Sequence, residues 1–431
     1  MNTITDIIIG MFLLVGGSVL IGELFEHLGQ VALVGQLLVG VILGPTLLAG
    51  PLGLTTIASS FQALQILATF FILVMAGMAI TPQQIRATGV ASGLCGIAIF
   101  VIPFVAGAYV VHGIYPGLST TEDLFISLTI SITALPVLGV MLREFNILET
   151  RLGSFLMNTA MVNELSAVTT FAVLLQVYNH PGSLGVSIAT ALGTTALFLG
   201  SILAVYFVIR GLRRIKVWDR WAVRFRESWR SRQGGFAILM VVGLACALYS
   251  QYLGLTYVVG AFYCGLLLTP ETTGRREHRS ISFIFEAITW GFFIPLFFAL
   301  IGLQMNLRDI GLAEVPILAF FALGAFALFS KIFVGAGVAR ALGWSANESL
   351  LTGFLVTSRG AVELAMAVIL LDLGIFSTKI FTIVAGVGLL ATFISPIGAK
   401  PFVRVFTGAR RTAAGPSPPS PLEPAFPQAE R

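Results

Sequence analysis

Apolar runs of about 18 or more residues follow one another along almost the whole chain, separated by short segments bearing Gly, Pro and charge. A bilayer crossing needs about 20 such residues, so the pattern predicts about thirteen spans. They fall near residues 4–26, 31–49, 61–80, 88–112, 123–142, 153–178, 184–210, 234–252, 255–269, 281–304, 313–340, 346–371 and 376–399. Two spans are interrupted. The fifth carries "SITALPVLG" (Ser131–Gly139) and the twelfth "VTSRGAVEL" (Val356–Leu364). Pro136 removes a backbone donor and clashes with the preceding turn, while Gly139 and Gly360 weaken the helix further. In the sixth span, "FLMNTAMVNELSAVTTFAVLL", the pair Asn163 and Glu164 stands midway along an otherwise apolar run.

Span seven leaves six spans on either side. Corresponding spans are then an odd number apart, so the halves are expected to be inverted repeats. This divides a transmembrane domain, 1–406, into a first repeat (1–183), a linker helix with a basic segment (184–233) and a second repeat (234–406). Either break alone reads as an ordinary kink, since Pro and Gly are common in membrane helices. Matched placement in the two halves is what points to a substrate site. The segments "GLSTTEDL" and "TPETTGRREHRS" read as loops, and the Pro- and Ser-rich tail, 407–431, as disordered.

Composition agrees with an all-α polytopic membrane protein: the 431 residues are 57% hydrophobic and only 10% charged. The apolar start of the chain carries Asp6 with no preceding cation, which reads as a first span and not a cleaved signal peptide. The net charge of +5 is a sidedness signal. With the N-terminus outside, all but four of the 25 Lys and Arg residues collect on the inner side. The exceptions are Arg308, Lys379, Lys331 and Arg359. The positive-inside rule therefore predicts a plasma-membrane protein with its N-terminus outside and C-terminus cytoplasmic. "GLRRIKVWDRWAVRFRESWRSRQ" (Gly211–Gln233) reads as an amphipathic helix on the inner leaflet, in preference to a nucleic-acid site. Cys95, Cys246 and Cys264 lack metal-ligand spacing, and His27, His112, His180 and His278 lie at span ends or in loops. No motif of an intramembrane enzyme is found, so the expectation is a transporter with no cofactor.

The chemistry is expected at the intramembrane charges: Glu164, Lys331, Arg359 and Glu363. Arg359 and Glu363 are four apart on one helix face and read first as a brace across the break, and Lys331 reads equally as brace or functional group. Glu23 and Glu286 lie nearer span ends and read as interfacial or structural. Glu164 has no opposite charge within reach on its own helix. Burial favours its neutral form, reached by protonation or by binding a cation. Those two states compete for one carboxylate, which is the minimum chemistry of an antiporter. Asn163, Thr133 and Ser131 can add neutral oxygens suited to an alkali cation at Glu164. Lys331 and Arg359 balance Glu164 and Glu363, so loading a proton or a monovalent cation leaves the same charge and predicts electroneutral exchange.

"SITALPVLGVMLREFNIL" (Ser131–Leu148) followed by "RLGSFLMNTAMVNELSAV" (Arg151–Val168) resembles the monovalent cation:proton antiporter-2 family. "VVGAFYCGLLLTPE", "FFIPLFFALIGLQMNL", "SKIFVGAGVARALGW" and "TSRGAVELAMAV" continue the resemblance in order. It implies two discontinuous helices crossing in a mobile core domain, elevator-type alternating access and a homodimer. It gives the ion-carrying role to Glu164, the second residue of the Asn–Glu pair. Glu stands where the family usually has Asp. Lys331 matches a family lysine that pairs with an acid at the position held here by Asn163, leaving it in need of another partner. The family's fused nucleotide-binding regulatory domain is not found in the sequence, so no nucleotide gating is expected. The competing readings are a channel or sensor derived from the family, and an organic-anion symporter of related fold.

Overall fold

Within hydrocarbon a chain must satisfy its own backbone, and long apolar runs poor in Pro do so as helices. The structure, a computed structural model, describes residues 3–45, 61–80, 89–179, 184–212, 234–307 and 317–414, and these form helices with no strand among them. The first half comprises α1 (Thr3–His27), α2 (Ala32–Leu43), α3 (Gln62–Met78) and α4 (Val90–Ile114). It continues with the half-helices α5 (Thr120–Ser131) and α6 (Leu135–Glu144), then α7 (Arg151–Asn179). After α8 (Leu184–Leu212) come α9 (Gly234–Tyr252), α10 (Tyr257–Leu267) and the short α11 (Pro270–Thr273). Next, α12 (Arg275–Ile288) runs through a π-helical turn (Thr289–Phe293) into α13 (Ile294–Gln304). The chain then forms α14 (Ile317–Ala341), the half-helices α15 (Ala346–Leu355) and α16 (Ala361–Asp372), and α17 (Thr378–Ala414). Nine helical stretches among the described residues are long and apolar enough to cross a membrane; α2, α3 and α10 are shorter apolar helices.

In each half the broken helix is the fifth crossing. The helices sort into two bundles. One contains α1–α3, α9, α10 and α12–α13; the other contains α4–α7 and α14–α17, with α8 laid against α7 and α10. Two helix crossings dominate the first bundle, α2 with α13 and α3 with α10. Gly40 rests on the Ala299 carbonyl and Gly302 on that of Leu37; Gly77 and Gly265 are set the same way against Phe262 and Val74. A Cβ at any of the four would overlap backbone, so small residues are what permit the close approach. The crossings are counterparts, because each joins the second helix of one half to the third of the other.

Several boundaries differ from the sequence expectation. Segment 269–280 is helical where a loop was expected: Thr269 caps α11 through a capping box with Thr272, and α12 begins at Arg275. The segment 117–124 likewise turns helical at Thr120, under a capping box between Ser119 and Glu122. Hydropathy marks where a chain meets hydrocarbon, and a capped helix continues beyond that into the polar interface. α17 runs to Ala414, past the expected tail boundary; residues 415–431 and most of the expected amphipathic segment, 213–233, lie outside the described residues. The π-helical turn in the tenth span was not anticipated. Glu23 and Glu286 are exposed, and Glu23 pairs with His27 at 3.7 Å.

Candidate functional site

Both interruptions unwind the backbone, and the unwound strands cross within the second bundle. Ile132 and Ala134 adopt extended conformations between α5 and α6. The cause is Pro136, in the first turn of α6: its ring clashes with the carbonyl four residues back, at Ile132, so the break falls upstream. Gly139, expected to help break the helix, instead lies inside α6, because everything downstream of the proline is free to stay helical. Gly360 precedes α16, and its contribution is space: a Cβ there would stand 2.6 Å from the Ala134 Cβ and 2.9 Å from Val137. Without a side chain at Gly360 the strands approach closely enough for the Ala134 N–H to donate to the Ser358 carbonyl at 3.0 Å.

Unwound backbone in a membrane interior needs partners for every donor and acceptor, and the buried polar residues of the sequence supply them. Asn163 Oδ1 accepts from the Thr133 N–H at 2.7 Å, and its Nδ2 donates to the Ser131 carbonyl at 3.1 Å. The Thr133 hydroxyl donates to the Val356 carbonyl at 2.7 Å and accepts from Lys331 Nζ at 2.6 Å. Arg359 donates to the Thr129 carbonyl at 2.8 Å and also to that of Ile130, placing its positive charge on the carbonyl end of α5, where the helix dipole is negative. Thr392 on α17 donates to the Arg359 carbonyl at 3.3 Å.

Four charged side chains are buried here: Glu164 and Lys331 have no exposure, and Arg359 and Glu363 have 1%. Glu363 Oε2 lies 3.5 Å from Arg359 Nη1, so the expected pair forms, yet neither Glu363 oxygen accepts a hydrogen bond. Lys331 takes the Thr133 hydroxyl as its hydrogen-bond partner, in place of the acid that Asn163 does not provide. Glu164 Oε2 accepts a 3.3 Å bond from the Leu135 N–H, the first amide of α6, and so faces the positive end of that half-helix. Its Oε1 is buried with no partner.

All four residues expected to surround a cation thus meet at the first break, but they are not equally free. Asn163 Oδ1 is engaged by an amide, Thr133 Oγ1 holds an ammonium group, and the Ser131 hydroxyl donates to the Ser127 carbonyl at 2.7 Å. These three stabilise the crossing, and Glu164 Oε1 is the open anionic oxygen among the four. Sequence reasoning missed Thr392, and also Ser395, which donates to the Phe354 carbonyl at 2.7 Å. Their only signal was a hydroxyl in an apolar helix, which many membrane helices carry. Cys95, Cys246 and Cys264 are free thiols, and no group of metal-ligating side chains occurs among the described residues.

Two half-helices crossing at a buried acid, within an all-helical membrane chain, are the architecture of a secondary transporter. The chain belongs to the sodium/hydrogen exchanger family, whose description, "Sodium/hydrogen exchanger, transmembrane", matches residues 11–405. It is 28% identical over 418 residues to the Na(+)/H(+) antiporter NhaS4 of Synechocystis sp., covering 93% of this chain and 98% of that one. It is 24% identical to the Na(+)/H(+)-K(+) antiporter GerN of Bacillus cereus, covering 91% and 94% respectively. The solved sodium proton antiporter MjNhaP1 of Methanocaldococcus jannaschii superposes with a TM-score of 0.68 over 92% of this chain and 96% of that one, at 13% identity. The fold is the sodium/proton antiporter fold.

Proposed function

We propose that the chain exchanges a monovalent cation, Na⁺ or K⁺, for a proton, and that Glu164 carries each in turn. The observation that carries this reading is the unpartnered, fully buried Glu164 Oε1 at the helix crossing. An isolated carboxylate in such a place is strongly disfavoured, so it holds either a proton or a cation. Family membership and the names of NhaS4 and GerN support the cation and proton as cargo.

Glu164 is closed off from solvent, which supports reading this conformation as occluded. Access to either face then requires the bundle that contains the crossing to move against the other, an elevator-type motion in which the crossing travels as a unit. The dense bonding between the two unwound strands favours that over local unwinding. Two buried cations balance two buried acids, and one proton or one monovalent ion adds the same charge, so the exchange is electroneutral. The distribution of Lys and Arg supports an N-terminus outside and a C-terminus in the cytoplasm, and a plasma-membrane homodimer is the assembly we expect.

The test is proton flux in sealed vesicles carrying a pH gradient, with Na⁺, K⁺ and Li⁺ added in turn. The native protein should dissipate the gradient with at least one of these ions, and Glu164→Gln with none. Cation-driven flux that persists in Glu164→Gln would remove the assignment.

A further inference from the structure

The π-helical turn Thr289–Phe293 interrupts the tenth span just ahead of Pro295, whose ring clashes with the carbonyl four residues back, at Gly291. The Ile294 N–H reaches back five residues to the Thr289 carbonyl, and the Thr289 hydroxyl donates to Phe285 at 2.7 Å. The turn is anchored from both ends on α3: Phe71 stacks against Phe285 at 4.8 Å and against Phe293 at 4.3 Å. Between these anchors Trp290 lines an apolar cavity at the seam of the two bundles. Leu33, Met75 and Ala76 wall it on one side, and Ala134, Pro136 and Val137 on the other.

Two features give this cavity a direction. Leu33 is in the first turn of α2 and Ala76 in the last turn of α3, so both lie toward the membrane face at which α6 ends and α7 begins. Ala134 and Pro136 flank Leu135, whose amide holds Glu164. The lining of the cavity therefore spans from the turns of α2 and α3 nearest that face, the Arg-rich one, to the two neighbours of Leu135. Among its lining residues Trp290 alone is exposed, at 39%, while the others are buried or half-buried. Trp290 thus stands at the mouth.

We propose that Trp290 is a hydrophobic gate on the route between Glu164 and the Arg-rich face. A large apolar ring in an apolar passage denies water a continuous column, and a hydrated ion cannot follow where water does not. Opening requires Trp290 to leave the wall formed by Pro136 and Val137, which the sliding of one bundle past the other accomplishes. The π-helical turn sets the ring's direction, consistent with the frequent placement of such turns at functional sites. The proposal rests on the antiporter reading, from which it takes the identity of the cargo.

The test places a cysteine at the cavity wall, Val137→Cys, after Cys95, Cys246 and Cys264 have been replaced by serine. Its reaction with a membrane-impermeant maleimide applied at the Arg-rich face is followed with and without Trp290→Ala. Labelling should be at least tenfold faster in Trp290→Ala, with Trp290→Phe close to the parent. An unchanged rate, or labelling only by a lipid-soluble maleimide, overturns the gate, the latter by placing the mouth against lipid. A second measurement keeps the native cysteines. In Trp290→Ala, half-saturation by the cation the native protein exchanges fastest should fall at least threefold at the Arg-rich face and not at the other. A loss of maximal rate with half-saturation unchanged at both faces would make Trp290 merely structural. Absence of any cation-driven exchange by the native protein would defeat the antiporter reading, whereas the labelling comparison judges the gate separately.

Discussion

Replacing Thr133 by valine keeps the side chain's shape and removes only its hydroxyl. That oxygen accepts from Lys331 at 2.6 Å and donates to the Val356 carbonyl at 2.7 Å, with all three groups buried. A hydrogen bond to a charged group contributes about 1.5–3 kcal/mol, and a buried carbonyl left without a donor costs about 1–3 kcal/mol. Thr133→Val should therefore destabilise by about 2.5–6 kcal/mol. Unfolding entropy near 2.1 cal/mol/K per residue converts this to a drop of about 3–7 °C in Tm for a chain of this length. Thr133→Ser retains the hydroxyl and loses one methyl group, roughly 1 kcal/mol. The cycle is completed by Lys331→Met, which removes the ammonium that Thr133→Val strands. The double variant should melt well above the sum of the two single losses, because an apolar pair in place of a buried polar pair is nearly neutral. Melting is read in detergent by thermal-shift fluorescence. Native-like melting of Thr133→Val, or strict additivity in the cycle, would refute the view that Lys331 is held through Thr133.

Other consequences follow from the same geometry. Gly302→Ala puts a methyl group onto the Leu37 carbonyl and should cost at least about 1–3 kcal/mol. Gly200→Ala, in α8 with open space around it, should instead stabilise by up to about 1 kcal/mol, and paired melting curves separate the two. Arg359→Lys keeps the charge but cannot span the carbonyls of Thr129 and Ile130 as a fork does; it should lower both Tm and exchange rate, and native values for both would contradict the capping role. If proton and cation share one site, the half-saturating cation concentration should rise about tenfold for each pH unit lowered on the acid limb, where a proton must be displaced. A half-saturation independent of pH there would separate the two sites.

The sequence made the two breaks and the four buried charges legible because each violates the apolar pattern of its span. Their division of labour was not legible. Asn163 and Glu164 are adjacent, yet one serves Thr133 and Ser131 while the other faces Leu135 and keeps an open oxygen. That difference arises from the roughly 100° turn between neighbouring helical residues and from where the crossing strand passes. Gly139 and Gly360 look alike as letters, but only Gly360 meets another chain segment closely. The partner of Lys331 lies 198 positions away, at Thr133, and was beyond any local pattern. The π-helical turn was not anticipated, although Pro295, whose ring clashes with the carbonyl four residues back at Gly291, is a local signal for a break there.

The claim that one carboxylate is passed between two ions can be measured without any membrane. Purified protein in weakly buffered detergent solution is mixed with the exchanged cation, and the released protons are titrated with a pH indicator. Each native polypeptide should give up close to one proton as the cation binds, and Glu164→Gln should give up none while still melting as a folded protein. Cation binding by the native protein with no proton release, or equal release from Glu164→Gln, would contradict the account.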